Sequence, residues 1–229
     1  MLATTIFDAI EERARELQFE LWDNQVAYWP GEQVMPIDVC DPWVAAHHLD
    51  FEVQEGWLTC PETRIGHQLG GFINRSARLI GISDQLKPRT MRFTLAHEIG
   101  HLKLHPRMNH HREIALHGLT EPHEPADPLE REANRFAGYF LVPTVQLRKA
   151  FRAAFGVETL LLTDDVAYEL LGDGFMALMN TNCHSLAFER LIAKALRFRG
   201  RQFGSFVDLF QVSETTLAMR LRECGLTRR

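Results

Sequence analysis

His97 and His101 stand four residues apart with Glu98 directly after the first, in Phe93-Thr94-Leu95-Ala96-His97-Glu98-Ile99-Gly100-His101. On an α-helix, positions i and i+4 differ by about 40° around the axis, so both imidazoles leave the same face. Two nitrogen donors placed this way can reach one Zn²⁺ at about 2.0–2.1 Å each. Glu98 lies about 100° further round, where it can touch a water at the metal without occupying the metal itself. The pattern is H-E-x-x-H, and its chemistry is zinc-dependent hydrolysis of a peptide bond.

That chemistry requires the segment to be helical, and it reads as helix. Pro88 suits a first helical turn, and no further Pro or Gly interrupts the run before Gly100. Leu95, Ile99 and Leu102 recur at i, i+4 and i+7 as one apolar stripe. Phe93, His97, Gly100, His101 and Leu104 make a second face. A helix apolar on two sides is buried on both, as a helix between core and cleft must be.

Catalytic zinc takes three protein ligands and leaves one position open. The third is sought in Asp127-Pro128-Leu129-Glu130-Arg131-Glu132-Ala133-Asn134-Arg135-Phe136-Ala137. Asp127 reads as an N-cap, with Pro128 at the first helical position. Leu129, Ala133, Phe136, Ala137 and Phe140 give the apolar face of a helix that ends near Pro143. Glu130 and Asn134 lie on one flank of this face and Glu132 on the other, so periodicity alone leaves both glutamates open. Glu130 also stands where a capping-box glutamate would. Asn134, one turn on, favours Glu130, because an amide there can hold an imidazole or the ligand carboxylate from behind.

The elements around these helices are short. A first helix carries Ile6, Ile10, Ala14 and Leu17 inward with Glu11, Glu12 and Glu16 outward. It reads as a surface helix and not a signal peptide. A loop with Pro30-Gly31 and Pro36 leads to a short helix over Asp41–His48 and a strand at Phe51–Val53. Gly70–Ile73 and Leu79–Ile82 read as two strands around an Asn74-Arg75-Ser76 turn. A strand edge beside a zinc helix is a place where an extended peptide can add as a further strand. The His-, Pro- and Glu-rich stretch from Arg107 to Asp127 reads as a loop, with His110, His111, His117 and His123 on the surface.

Arg92-Phe93-Thr94-Leu95-Ala96-His97-Glu98-Ile99-Gly100-His101, a following His105, then Glu130-x-x-Ala133-Asn134-Arg135-Phe136-Ala137 and Leu141-Val142-Pro143 resemble the ImmA/IrrE family of metallopeptidases. The likeness covers roughly residues 40 to 145, with both halves in order. It implies a gluzincin-like site, with His97, His101 and Glu130 on zinc and Glu98 as the catalytic carboxylate. It also implies a regulatory protein substrate, since members cleave helix-turn-helix repressors in phage, mobile-element or stress circuits. The segment between Pro143 and the C-terminal helices is longer than compact members require. For the further donor that would polarise the reacting carbonyl, His105 and Tyr139 are the residues considered.

Phe203 to Gly225 has the outline of a helix-turn-helix. Phe206, Val207, Leu209 and Phe210 are the apolar part of its first helix. Ser213 caps the second, Glu214 to Cys224, and Gly225 stops it. Phe188, Leu191, Ile192 and Leu196 form a separate stripe before it. Arg197, Arg199, Arg201, Arg220, Arg222, Arg228 and Arg229 add positive charge, which would suit phosphate contacts. Against that stand Glu214 and Glu223 in the would-be recognition helix and a net charge of −5 over 229 residues. The expectation is therefore helical packing without tight specific DNA binding.

The apolar content of 45 % and charged content of 24 % are those of an ordinary globular chain. No run approaches the 18 or so apolar residues of a membrane helix. Cys40, Cys60, Cys183 and Cys224 contain no C-x-x-C pair and read as reduced and structural. The sequence thus predicts an α+β, helix-rich fold. Residues 1–150 would form a zincin-like metallopeptidase core with a small antiparallel sheet, and residues 151–229 a helical, helix-turn-helix-like region. The expected function is cytoplasmic zinc-dependent cleavage of a protein, in particular a helix-turn-helix transcriptional repressor. The alternative is a zinc-binding regulatory or DNA- or protein-binding module without proteolysis.

Overall fold

The computed structural model describes residues 6–56, 69–107, 110–114 and 127–229. Cys60, His117 and His123 lie outside the described residues, as do the side chains of Ile6, His110 and His111. The chain forms two compact units, Met1–Leu141 and Val142–Arg229.

In the first unit, α1 (Ile6–Asp23) buries Ile10, Ala14 and Leu17 of the inward set its periodicity predicts, and Leu21 with them. A single turn, α2 (Gln25–Tyr28), leads to α3 (Pro42–His48), whose N-cap Asp41 accepts from the N–H groups of Trp43 and Val44. The strands β1 (Glu52–Gly56), β2 (Leu69–Asn74), β3 (Leu79–Ser83) and β4 (His110–Ile114) make one sheet in the order β1-β3-β2-β4. The β2–β3 pairing is antiparallel, as expected; β4, inside the stretch read as a loop, also pairs antiparallel with β2, and β1 runs parallel to β3. The sheet is therefore mixed. The reason is that β1 and β3 are not joined by a hairpin, since β2 intervenes in the chain. Both β2 and β3 are interior strands, so the edge on which a peptide could add belongs to β1 or β4.

Two helices complete this unit, α4 (Pro88–Leu104) and α5 (Pro128–Leu141). α4 packs against β2 and β3 on one side and α5 on another, and it buries every residue from Thr94 to His101. Asp127 caps α5 by accepting from the Leu129 N–H at 2.9 Å. At the other end of α5, Gln18 Nε2 donates to the carbonyls of Tyr139 and Phe140, supplying partners that a helix C-terminus lacks.

The second unit holds α6 (Thr144–Phe155), β5 (Leu160–Leu161), α7 (Asp164–Leu171), α8 (Phe175–Met179), α9 (Ala187–Lys194), β6 (Arg197–Phe198), β7 (Arg201–Gln202), α10 (Phe206–Phe210), α11 (Glu214–Glu223) and β8 (Thr227–Arg228). The sequence places the division at residue 150; the compact units meet between Leu141 and Val142. The difference lies in α6, whose Phe151 and Phe155 stack among Phe198, Phe203 and Phe206 and so belong to the C-terminal core. The helix-turn-helix outline is present: Gln211 turns in the left-handed region and Ser213 caps α11 through the Thr216 N–H. Leu209 and Leu196, read as apolar inward residues, are exposed, Leu196 because α9 ends two residues before it.

Cys40 and Cys224 are buried free thiols and Cys183 is exposed. Burial pushes the Cys40 thiol up to about 12, which leaves it protonated and unreactive at neutral pH. No helix among the described residues is long and apolar enough to cross a membrane.

Candidate metal centre

The close approach of α4 to α5 begins at a glycine. A Cβ on Gly100 would come within 3.1 Å of the Ala133 Cα and carbonyl oxygen and 3.2 Å of the Phe136 Cβ. A glycine facing an alanine lets the two backbones nearly touch, and this sets the height at which the polar residues of α5 meet the histidines of α4. Glu130 is thereby brought to the histidine pair. Its Oε2 lies 3.2 Å from His97 Nε2, and its Oε1 lies 3.5 Å from His101 Nε2. The two Nε2 atoms are 3.0 Å apart.

These separations fit a tetrahedral ion. Two ligand atoms about 2.05 Å from one centre at the tetrahedral angle stand about 3.3 Å apart. The three observed edges bracket that value, and all the donor atoms fall within 4.8 Å of one another. The donor set of two imidazoles and one carboxylate is one that suits zinc and other borderline divalent ions. Both histidines are buried, while Glu130 keeps 24 % of its side chain exposed, so the cluster opens on its Glu130 side.

The imidazoles are held from behind. His97 Nδ1–H donates to Asn134 Oδ1 at 2.9 Å, which leaves the Nε2 lone pair turned to the shared point. His101 Nδ1 meets His105 Nδ1 at 2.9 Å, and His105 Nε2 meets Glu132 Oε2 at 3.1 Å. Glu132 is therefore turned away from the histidine pair and towards His105. From the β2–β3 turn, Arg75 Nη2 donates to the carbonyls of His101 (2.8 Å), Leu102 (3.4 Å) and His105 (3.0 Å). A guanidinium at a helix C-terminus meets both the unmatched carbonyls and the negative end of the dipole. Partial burial holds the Arg75 pKa below its ordinary value.

Glu98 is fully buried on the sheet side of α4. β2 runs so near it that a Cβ on Gly71 would come within 2.9 Å of Glu98 Oε1 and of Thr94 Cγ2. Gly71 is thus a position where the strand must come close, and any side chain there would displace the carboxylate.

Neither residue considered as a carbonyl-polarising donor is available as such. His105 is committed to His101 and Glu132. Tyr139 sits nine residues past Glu130 on α5, about 13 Å along the axis at 1.5 Å per residue. Sequence reasoning did not find the His105–Glu132 pair or the Arg75 cap. The first had a signal, since His105 repeats the i+4 spacing of His97 and His101.

Residues 62–171 match a family model described as Peptidase_M78, the IrrE N-terminal-like domain. A search of curated proteins finds no match to the chain. The matched range spans His97, Glu98, His101 and Glu130 with the strands and helices that carry them. It agrees with the likeness carried by the two motifs, and its family supports a metallopeptidase-type function. Over residues 62–171 the chain is therefore matched by the IrrE N-terminal-like domain model of the Peptidase_M78 family.

Proposed function

We propose that this protein is a zinc-dependent endopeptidase that cuts a protein substrate. The observation that carries the reading is the convergence of His97, His101 and Glu130 on one point, with Glu98 following the first histidine on the same helix. In this reading His97, His101 and Glu130 are the metal ligands, and Asn134 orients His97. Zinc held there would supply Lewis acidity, lowering the pKa of a water towards about 7 and polarising a peptide carbonyl. Glu98 takes the proton of the attacking water and then delivers it to the leaving amine. Burial of Glu98 beside β2 shields its carboxylate from bulk water, which favours proton transfer within the site over exchange with solvent.

The substrate class in this proposal is a helix-turn-helix transcriptional repressor, and the setting is a cytoplasmic regulatory circuit. Support comes from the family likeness of both motifs. The test is direct. Purified protein incubated with candidate repressors should cut one of them at a defined bond. A chelator should stop the cleavage, and added Zn²⁺ should restore it. Zinc binding without cleavage of any protein would instead favour a regulatory binding module.

A further inference from the structure

The proposed metal site leaves one contact chain without a role. His101, the second of its histidines, is backed by a second imidazole, and that imidazole is backed by a carboxylate. Two facing ring nitrogens at 2.9 Å need one proton between them, so His101 Nδ1 and His105 Nδ1 cannot carry the same protonation. The carboxylate decides which one holds it. An ionised Glu132 accepts only, so His105 must place its proton on Nε2 to meet Oε2 at 3.1 Å. His105 Nδ1 is then a lone pair, His101 Nδ1 carries the donated proton, and His101 Nε2 presents its lone pair to His97 and Glu130.

We propose that His105 and Glu132 are positioning residues. The Glu132 carboxylate sets the tautomer of His105, and His105 sets the tautomer and ring orientation of His101 for metal binding. Glu130, Glu132 and Asn134, alternate residues on one turn of α5, would then serve three separate tasks: ligand, remote tautomer anchor, and direct partner of His97. Successive members differ by about 200° around the helix, so Glu132 cannot share the Glu130 face. Its reach to His105 is possible because His105 lies one turn beyond His101, caps α4, and is itself buried. Arg75 supports the arrangement by binding the carbonyls of both His101 and His105, which holds the last turn of α4 in place.

This inference rests on the metal-site reading, and the experiment separates the two. Nitrogen-15 NMR of the zinc-loaded protein at about pH 8, above the ordinary imidazole range, reads which ring nitrogen bears each proton. The parent protein should show His101 protonated at Nδ1 and His105 at Nε2. Glu132→Ala should lose the His105 preference. Its zinc affinity, measured by competition with a chelator, should weaken about 10- to 100-fold, the usual effect of removing an outer partner of a ligand histidine. Glu132→Gln, whose amide oxygen can still accept from Nε2–H, should keep the tautomers and lose less affinity than Glu132→Ala. A merely structural Glu132 would lower the unfolding temperature yet leave the tautomers unchanged. The proposal is overturned if the parent protein carries the His101 proton on Nε2, or if Glu132→Ala keeps either the His105 tautomer or the zinc affinity. Absence of zinc binding by the parent protein would instead sink the metal-site reading, while the His105 tautomer, compared between the parent and Glu132→Ala, would still decide the Glu132–His105 step.

Discussion

The α4–α5 pair and the arginines around α11 both present charged or polar residues at spacings that suggest function. Packing treats them in opposite ways. On α4 and α5 the imidazole nitrogens and the Glu130 carboxylate are turned towards one another at 3.0–3.5 Å, and other residues hold them from behind. In the C-terminal unit Arg220, Arg222 and Arg229 donate to groups of their own unit. Arg220 is buried and bonds the Val142 carbonyl, Thr144 Oγ1 and Glu223. Arg222 reaches Glu189 and the carbonyls of His184 and Ser185, and Arg229 reaches Thr181 and Asn182. The lesson is about direction. A cluster acts on an external partner when its donor atoms point to a shared place. When they end on carbonyls of the same unit, the cluster serves stability.

The comparison can be broken most decisively at the ligands. His97→Ala, His101→Ala and Glu130→Ala each leave two protein ligands, and each should lose bound zinc by elemental analysis together with all cleavage. Retention of a full equivalent of zinc by Glu130→Ala would remove it from the site. Next in size is Glu98→Gln, which should keep zinc and fold but cleave about 10²–10⁴-fold more slowly, since an amide cannot accept the water's proton. Equal turnover by this variant and the parent would end the proposed mechanism.

Leu217 and Leu221 are fully buried on α11, and replacing either by Ala should cost about 2–5 kcal/mol in chemical denaturation. Gly100→Ala should cost about 1–3 kcal/mol, because its Cβ would press on the Ala133 backbone. It should also weaken zinc binding by moving Glu130 away from the histidines. Unchanged zinc affinity would show that the helix spacing is less critical than argued. The smallest effects concern the arginines. Arg220→Ala should destabilise by about 1–3 kcal/mol by stranding buried acceptors, whereas exposed Arg228→Ala should stay within about 0.5 kcal/mol. Neither should alter binding to DNA in a mobility-shift assay. A nanomolar complex lost on neutralising Arg228 and Arg229 would put them in contact with phosphates after all.

Much of this was legible because helices carry their own rules. The caps at Asp127 and Ser213 and the inward face of α1 all follow from local residue types. The parallel partner of β3 was not legible, because strand order depends on which edges meet and not on any one strand's alternation. Leu209 and Leu196 misled for a related reason. An apolar residue is buried only if a neighbour covers it, and helices as short as α9 and α10 leave part of every face open.

By itself, the sequence determined that His97, Glu98 and His101 share a helix and that the two imidazoles share its face, because that relation is internal to 3.6-residue geometry. Periodicity could not choose between Glu130 and Glu132, and only Asn134 one turn on favoured Glu130. In the folded protein the glycine–alanine contact between α4 and α5 sets their relative height, with Glu130 facing the histidine pair and Glu132 facing His105. The physical reason is that periodicity fixes an angle around one axis, whereas a site of convergent donor atoms also needs the register and distance between two axes, and only packing supplies those.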